Sequence, residues 1–293
     1  MIKRIKLKPK TPFSSVFSSD QIWGQFIWAI SDLYGEDKVT EIIKLYTTNK
    51  PPILFSAAMI DGYLPKPLFV NAFADFANEI EKSNKKCKWL TYEDFSCLQN
   101  DSNYLKGKKL EQDSNDAISD ELEIHVSISG DTLYNVIYKK TKIPIIVYVD
   151  IQSEEWNEVL QNIIKNHWSI MGLGGDKNVG RGQFDISMGD LSSEEKKIFN
   201  FRSDSGFISL SQSFGQDLEP VFYNVEVYSG FVGRKNDIDG IYRKKPIIRY
   251  LPGSFFKKGK GCVVQAVDNR NIFSYGLSFP VYMKLENSND QEL

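Results

Sequence analysis

Five glycines lie within eleven consecutive residues of this chain, directly after a segment with helical periodicity: Gly172, Gly174, Gly175, Gly180 and Gly182. Glycine tolerates positive φ and lets other groups approach the backbone closely, which suits a loop whose N–H groups face an anion. Lys177, Asn178 and Arg181 lie between the glycines, and the two cations are suited to neutralising phosphate charge. The pattern therefore predicts a phosphate-binding loop over residues 172–182.

The loop differs from the two common nucleotide-binding motifs. No Gly-Lys-Ser/Thr follows at the spacing of a P-loop, and Lys177 occupies the place of the last glycine of Gly-x-Gly-x-x-Gly. The order of elements is also reversed, because a helix precedes the loop and a strand is predicted after it, over residues 183–188. We expect no nucleotide cofactor. A helix C-cap followed by a bulge would explain Gly172 and one further glycine, but not easily five.

The hydrophobic pattern of the first part of the chain alternates between strand and helix spacing. Basic and apolar residues alternate over residues 3–8, which predicts a strand with one buried face. Ser18 and Gln21 form a capping-box pattern before a helix, and Ser153 caps a second helix that runs to the glycine-rich loop. Helical periodicity also covers residues 39–46 and 68–80. These elements predict an α+β architecture.

The remaining segments favour strands and loops. Alternating residues around Ser129-Gly130-Asp131 predict a β-hairpin near residues 122–138, and short strand patterns follow residue 207. The polar stretch at 192–197 is typical of a linker, and the polar composition of residues 83–120 indicates a mobile insertion. We therefore predict an N-terminal domain over residues 1–190 and a β-rich C-terminal domain over residues 195–293.

Charge is sorted along the chain although the net charge of the 293 residues is only -2. That balance is too small for non-specific binding to nucleic acid, so an RNA site must be local. Basic residues are concentrated in residues 3–10 and 243–260, and neither stretch contains an acidic residue. Residues 111–123, in contrast, are acidic. Each such stretch is also compatible with a solvated face.

The later basic stretch is the second candidate RNA site. Arginine can fork onto phosphate, and a serine hydroxyl or glycine N–H can donate to its oxygens. Phe255 and Phe256 would either stack on a base or lie in the core. The candidate residues of this late basic segment (residues 243–254) are Arg243, Lys244, Lys245, Arg249, Pro252, Gly253 and Ser254.

Other features exclude whole classes of protein. No run approaches the ~18 apolar residues that span a bilayer, and the basic start lacks the apolar core of a signal peptide. The three cysteines are isolated and form no Cys-x-x-Cys pair, which argues against a zinc site or a redox pair. We expect a soluble cytoplasmic protein without a resident metal.

Four motifs together resemble the RAMP superfamily of CRISPR systems. Gly-x-Gly-Gly followed by Gly-Arg-Gly-x-Phe, over residues 172–184, is similar to the glycine-rich loop of these proteins. Ser-Asp-Gln-Ile-Trp-Gly at residues 19–24 resembles the start of their first helix. Gly-Tyr-Leu-Pro-Lys-Pro at 62–67 and Tyr-Leu-Pro-Gly-Ser-Phe at 250–255 resemble two further motifs. Their order and spacing are similar to those of the fourth-subunit family of the type III-A Csm complex.

The resemblance implies two ferredoxin-like (RRM-like) domains, with the hairpin near 122–138 as a thumb projecting toward RNA. It implies a non-catalytic subunit that holds the repeat-derived 5′ handle of the crRNA in an antiviral ribonucleoprotein. It also implies contacts with the large polymerase/cyclase subunit and with the adjacent backbone RAMP subunit. Asp20, Gln21 and Lys66, which lie in two of the matching motifs, join the RNA-binding candidates.

Three alternatives remain open at the level of sequence. Some RAMP relatives cleave RNA by acid/base chemistry, for which His125, His167 and Asp20 are the candidates. Each has a structural interpretation too, because His167 ends a helix and Asp20 begins one, where their charges complement the helix dipole. The chain could instead be the counterpart in a Cmr-type (III-B) complex, or a protein scaffold without RNA contact.

Overall fold

The computed structural model describes residues 1–70, 86–105, 108, 110, 117–126, 132–232, 243–268 and 270–285. The helices are Ser19–Tyr34 (α1), Glu36–Thr47 (α2), Tyr92–Asn100 (α3), Glu154–Ile163 (α4) and Ser193–Asn200 (α5). The strands before residue 190 are Ile2–Pro9 (β1), Ile53–Phe55 (β2), Met59–Ile60 (β3), Tyr63–Pro65 (β4), Trp89–Thr91 (β5), Ile118–Val126 (β6), Leu133–Thr141 (β7), Ile145–Ile151 (β8) and Phe184–Gly189 (β9). Those after it are Phe207–Ser209 (β10), Pro220–Phe222 (β11), Val225–Tyr228 (β12), Ile247–Tyr250 (β13), Phe255–Phe256 (β14), Gly261–Gln265 (β15), Phe273–Leu277 (β16) and Pro280–Tyr282 (β17). The protein is thus a mixed α and β structure with several sheets, as predicted.

The first sheet is antiparallel, in the order β2-β8-β1-β9, with β3 also paired to β8. The strand predicted over residues 3–8 is its central strand β1, in which Ile5 pairs with Val147 on one side and Met188 on the other. Ile5 and Leu7 are buried while Lys6 between them is not, because successive strand residues point to opposite faces. The strand after the glycine-rich loop, β9, forms one edge of this sheet.

Helices α1 and α4 share one core with this sheet. The predicted capping box starts α1, since the Gln21 N–H donates to Ser18 Oγ (3.3 Å) and the Ser18 N–H donates to Gln21 Oε1 (2.8 Å). Ile22 and Phe26 of α1 and Leu160 of α4 are fully or almost fully buried in this core. Ser153 caps α4 as predicted. Both helices therefore have the amphipathic packing that their periodicity indicated.

The second part of the chain is built mainly from short antiparallel strands. Four of them form a sheet in the order β11-β14-β10-β17, and β12–β13 and β15–β16 are two-stranded ribbons. Tyr275 of β16 joins this part to the first helix: its ring stacks on Trp23 with centroids 5.7 Å apart, and its hydroxyl accepts the Phe55 N–H (3.0 Å). Both large core clusters contain residues from each side of residue 190. The predicted division into domains 1–190 and 195–293 stays a prediction.

The polar stretch at residues 192–197 belongs to helix α5, so the prediction of a linker is wrong there. Ser192 and Glu195 form a second capping box. The Glu195 side chain is fully buried, and it accepts from the Tyr148 hydroxyl (2.7 Å) and from Arg4 Nη1 (3.0 Å). A buried carboxylate needs such donors, and they fix this segment against the first sheet.

Residues 83–120 also contain ordered structure, which corrects the prediction of a mobile insertion for residues 87–105. Strand β5 pairs with β4, and Thr91 caps α3. Leu90, Phe95 and Leu98 are buried in the second core cluster. Lysines and asparagines around these apolar residues hid their periodicity in the sequence. The predicted helix at 68–80 lies outside the described residues from residue 71 on, and residues 111–116 of the acidic run lie outside them too.

The hairpin predicted near residues 122–138 corresponds to the pair β6–β7. Leu122 lies opposite Ile137, and the pairing extends from Ile118 with Thr141 to Val126 with Leu133. The predicted turn lies within residues 127–131, which are outside the described part of the chain. Among the described helices, none is long and apolar enough to cross a membrane.

Candidate nucleic-acid interface

The glycine-rich loop follows the end of a long helical segment. Helix α4 continues through a π turn at Ile164–Trp168 and a last turn at Ser169–Met171. Four loop glycines then have positive φ: Gly172 (74°), Gly174 (90°), Gly180 (79°) and Gly182 (68°). L-residues with a side chain rarely adopt this region, so these four positions favour glycine for conformational reasons alone.

Close packing at the base of the loop adds a second reason. A Cβ at Gly182 would lie 2.1 Å from the Leu173 carbonyl oxygen, and one at Gly172 would lie 2.6 Å from the Gly182 carbonyl oxygen. A Cβ at Gly174 would lie 2.8 Å from the Phe17 ring. Local structure therefore accounts for four of the five glycines. We expected a helix end and bulge to explain Gly172 and one further glycine, and not easily five; local structure accounts for four.

Gly175 is the exception. Its φ is not in the positive region, and the nearest atom to an added Cβ would be the movable Ser14 Oγ at 3.3 Å. The Gly175 N–H donates to that same oxygen (3.2 Å). Gly175, Asn178 and Gly180 are exposed, so the outer part of the loop presents backbone and a polar amide to solvent. This outer part is where an anion can approach the backbone.

Lys177 lies beside the outer part of the loop and against helix α1. Its Nζ donates to Gln25 Oε1 (3.3 Å). Burial lowers the pKa of Lys177 below its ordinary value, and the negative charge of Asp32 only partly opposes this effect. A neutral amide is a weak partner for this ammonium, so a phosphate nearby would stabilise its charged form.

Arg181 is held by the β6–β7 hairpin. Its Nη2 donates to both carboxylate oxygens of Glu123, and its guanidinium lies over the Tyr138 ring, 5.0 Å from the centroid. The Tyr138 hydroxyl donates to Asp176 Oδ2 in the loop (3.2 Å). The cation predicted to neutralise phosphate thus neutralises a carboxylate of the same chain in this structure.

Asp20 and Gln21 serve the fold. Asp20 is buried, accepts the Tyr275 N–H (2.7 Å) and lies 3.3 Å from Lys244 Nζ. Gln21 completes the capping box of α1. The predicted motif at residues 19–24 therefore connects the first helix to the second part of the chain, rather than presenting these two side chains to a ligand.

Most basic side chains of the late basic segment make contacts within the chain. Lys244 Nζ donates to the Phe273 carbonyl (2.7 Å) as well as pairing with Asp20. Arg249 is buried, donates to Glu226 Oε1 (2.7 Å) and lies over the Tyr228 ring. Arg243 and Lys245 are exposed: Arg243 lies over the Phe231 ring, and Lys245 pairs with Asp268 (2.5 Å).

The Pro252-Gly253-Ser254 motif is turned inward. The Ser254 side chain is 0% exposed and its hydroxyl donates to the Leu251 carbonyl (2.7 Å), while the Gly253 N–H donates to the Ser209 carbonyl (2.9 Å). These are the two donors that we predicted for phosphate, and both are occupied. The Gly253 carbonyl in turn accepts the Leu68 N–H (3.0 Å), which brings this motif against the one at residues 62–67.

Lys66 lies at that junction and is buried. A Cβ at Gly253 would lie 2.8 Å from the Lys66 carbonyl oxygen. Burial lowers the pKa of Lys66, with a smaller opposing effect from Cys87. Phe255 and Phe256 are buried as well. Their rings therefore lie in the core and do not stack on a base.

The two histidines have partners within the chain. His125 Nε2 lies 3.2 Å from Glu123 Oε2 on the hairpin, and His167 Nε2 lies 3.0 Å from Asp32 Oδ2. His167 is buried. Within the described ranges, no three His, Cys, Asp or Glu side chains are grouped as they would be around a metal ion.

Four residues around the loop were missed from the sequence: Ser14, Gln25, Glu123 and Tyr138. Glu123 lay in an acidic run interpreted as a solvated loop, and Ser14 and Gln25 are distant from the loop in sequence. The only available signal was the strand alternation, which places Glu123 and Tyr138 on one face of the hairpin.

Comparison with known proteins relates the fold to solved structures. Neither the family models nor the curated proteins contain a match to this sequence. A chain of the Csm3–Csm4 subcomplex of the type III-A CRISPR-Cas interference complex matches 97% of this chain and 100% of its own length, with a TM-score of 0.70 and 18% identity. Chains of the Csm1–Csm4 cassette with AMPPNP and with cA3 match 98% of this chain and 99% of theirs, at 18% identity and TM-scores of 0.65 and 0.64. Csm4 is the component common to these assemblies, and this chain has a Csm4-like fold over nearly its whole length.

Proposed function

We propose that this protein is an RNA-binding subunit of a type III-A CRISPR effector complex, in which it holds the 5′ handle of the crRNA for antiviral defence. The observation that carries the proposal is the full-length likeness to chains of the Csm1–Csm4 and Csm3–Csm4 assemblies. The glycine-rich loop, present where the RAMP resemblance requires it, supports the same function.

The finer fold assignment is part of this proposal. The four main strands of the first sheet follow the chain order β1, β2, β8, β9 and lie in the order β9-β1-β8-β2. With α1 after β1 and α4 after β8, this order supports a ferredoxin-like arrangement of two split β-α-β units. We propose a second such unit in the rest of the chain, with the β6–β7 hairpin as the thumb.

The same likeness suggests the protein partners. The matching structures are a Csm1–Csm4 cassette and a Csm3–Csm4 subcomplex. We propose that this chain contacts a large polymerase/cyclase subunit and an adjacent backbone RAMP subunit.

The RNA contact is proposed at the outer part of the loop. The Asn178 amide and the Lys177 ammonium would contact the phosphate, and the exposed Gly175 and Gly180, whose N–H groups donate to Ser14 Oγ and to the Lys177 carbonyl, would let the strand approach closely. Arg243 and Lys245 are exposed and stay RNA-binding candidates, whereas Arg249, Gly253, Ser254 and Lys66 support the fold. Phosphate contacts of this kind position a strand without reading its bases.

We propose that the subunit has no catalytic role. His125 and His167 each lie beside a carboxylate, and Asp20 is buried in an ion pair with Lys244. These contacts supply a structural role for each of the three residues that an endoribonuclease mechanism would use.

The test is RNA binding by the full chain, measured with RNAs that carry an intact or a scrambled 5′ handle. Gly175→Asp places a carboxylate on the outer loop at a position without positive φ, and should weaken binding of the intact handle at least tenfold. Lys44→Ala removes an exposed lysine of α2 and serves as the control. Equal binding of both RNAs, or no effect of Gly175→Asp, would contradict the proposal.

A further inference from the structure

Arg181 and Glu123 form the main polar contact between the glycine-rich loop and the β6–β7 hairpin. Their side chains are 25% and 23% exposed, so the pair is neither fully solvated nor sealed in the core. Partial burial alone would raise the pKa of Glu123, but hydrogen bonds from His125 and Arg181 hold it below its ordinary value. Glu123 is therefore an anion placed on the loop cation.

The remaining contacts of the hairpin's inner face lie around this pair. The inner face carries Glu121, Glu123, His125, Tyr134, Val136 and Tyr138. His125 Nε2 lies 3.2 Å from Glu123 and 3.5 Å from the Tyr138 hydroxyl, which itself bonds Asp176. The hairpin thus contacts the loop through one connected polar cluster, in addition to the backbone pairing of Lys139 with Phe13, while Leu122 and Ile137 on the other face are exposed.

The ion pair leaves Arg181 incompletely bonded. Both contacts to Glu123 use Nη2, and Arg181 Nε is buried without a hydrogen-bond partner in the described part of the chain. A buried donor without an acceptor is unfavourable. A phosphodiester has the same single charge as a carboxylate and two free oxygens, and arginine can contact both in a fork.

We propose that Glu123 is a built-in competitor of RNA phosphate for Arg181. In the free chain the Glu123 carboxylate pairs with the Arg181 guanidinium and connects the hairpin to the loop. An RNA phosphate that binds Arg181 displaces the carboxylate and breaks this contact. The inference rests on the proposed RNA-binding function and adds to it a residue that lowers the affinity of the loop. It also couples RNA binding to the position of the hairpin.

The test uses Glu123→Gln, which keeps the size of the side chain and removes its charge. A partly exposed ion pair contributes little, so we expect single-stranded RNA to bind this variant about 2- to 5-fold more tightly than the wild type. Glu121→Gln removes the same charge from the same hairpin face. Glu121 Oε1 lies 3.6 Å from Lys140 Nζ and does not pair with Arg181. This control should change affinity by less than about 2-fold.

Arg181→Ala provides the second arm of the experiment. If Glu123 acts through Arg181, Glu123→Gln has no effect on affinity in the Arg181→Ala background. Tightening that persists without Arg181, tightening of equal size in Glu121→Gln, or unchanged or weaker binding by Glu123→Gln would overturn the proposal.

The RNAs with intact and scrambled handles separate this proposal from the proposed function. The function predicts a difference between the two RNAs, whereas competition by Glu123 predicts a difference between the two proteins on either RNA. If neither the wild type nor Glu123→Gln binds either RNA, both proposals are overturned.

Discussion

The glycine-rich loop and the late basic segment combine the same residue types, yet the fold uses them in opposite ways. In the loop, Gly175 and Asn178 face solvent, and among the described residues Lys177 has only a neutral amide as its hydrogen-bond acceptor. In the late segment, Gly253 and Ser254 are buried, and the Ser254 hydroxyl and the Gly253 N–H are both bonded within the fold. Glycine beside basic residues therefore indicates a binding site only where the segment remains exposed to solvent.

The largest expected effect concerns Asp20, which connects helix α1 to the late segment. Asp20→Ala would leave the buried Tyr275 N–H without its acceptor and the Lys244 ammonium without its counter-ion, with the Phe273 carbonyl as its remaining acceptor. We expect a loss of about 3–5 kcal/mol in the free energy of unfolding, measured by denaturant titration. Lys245→Ala, which breaks an exposed pair with Asp268, is the control and should cost less than about 1 kcal/mol. Similar losses in both variants would contradict a structural role for Asp20.

Two glycines of the loop should differ sharply. Gly182→Ala puts a Cβ against the Leu173 carbonyl at a positive φ, so we expect a loss of about 2 kcal/mol or more in unfolding free energy. Gly175 has neither a positive φ nor a backbone atom close to an added Cβ, so Gly175→Ala should change stability by about 0.5 kcal/mol or less. Thermal unfolding of both variants measures the difference. Equal stability would mean that the base of the loop is less tightly closed than described.

Ser254 tests whether the late basic segment supports the fold rather than binding RNA. Ser254→Ala removes a buried hydroxyl that donates to the Leu251 carbonyl, and should cost about 1 kcal/mol of stability. RNA affinity should stay within 2-fold of the wild type when both are measured well below their melting temperatures. A large loss of affinity in a folded Ser254→Ala variant would restore this motif as an RNA site.

The smallest effect is expected for Lys177. Lys177→Ala should weaken RNA binding about 5-fold at low salt, and should reduce the slope of log affinity against log salt by about 0.7, as for one lost phosphate contact. Lys44→Ala, on the exposed side of α2, should leave the slope unchanged. A slope that Lys177→Ala does not alter would place the RNA elsewhere.

The sequence predicted the parts of the fold that depend on local patterns. The alternation in β1, the capping boxes and the helix before the loop arise from spacing and capping chemistry that neighbouring residues determine. The same reasoning was wrong for α3 and α5. In α5, lysine, glutamate and asparagine outnumber the apolar residues, and α3 lies between polar stretches rich in lysine and asparagine. The buried Glu195 in α5 has donors from β1 and β8, and no local pattern reveals them.

The glycine-rich loop was predicted in position but not in its contacts, and RNA binding there stays a prediction. Glycine density located the loop, whereas the burial of Ser254 and the pairing of Arg181 with Glu123 depend on segments distant in sequence. Whether a polar group is free or bonded is decided by tertiary packing, and hydrogen-bond partners across the fold cannot be read from spacing.

The most direct test of the account is to map crosslinks between a guide RNA and the assembled complex. Photoreactive nucleotides within the 5′ handle should crosslink to residues 174–181, and these crosslinks should vanish with a scrambled handle or in Gly175→Asp. Crosslinks from the handle to residues 249–254, with none in the loop, would contradict the central claim that the loop binds RNA and the late segment supports the fold.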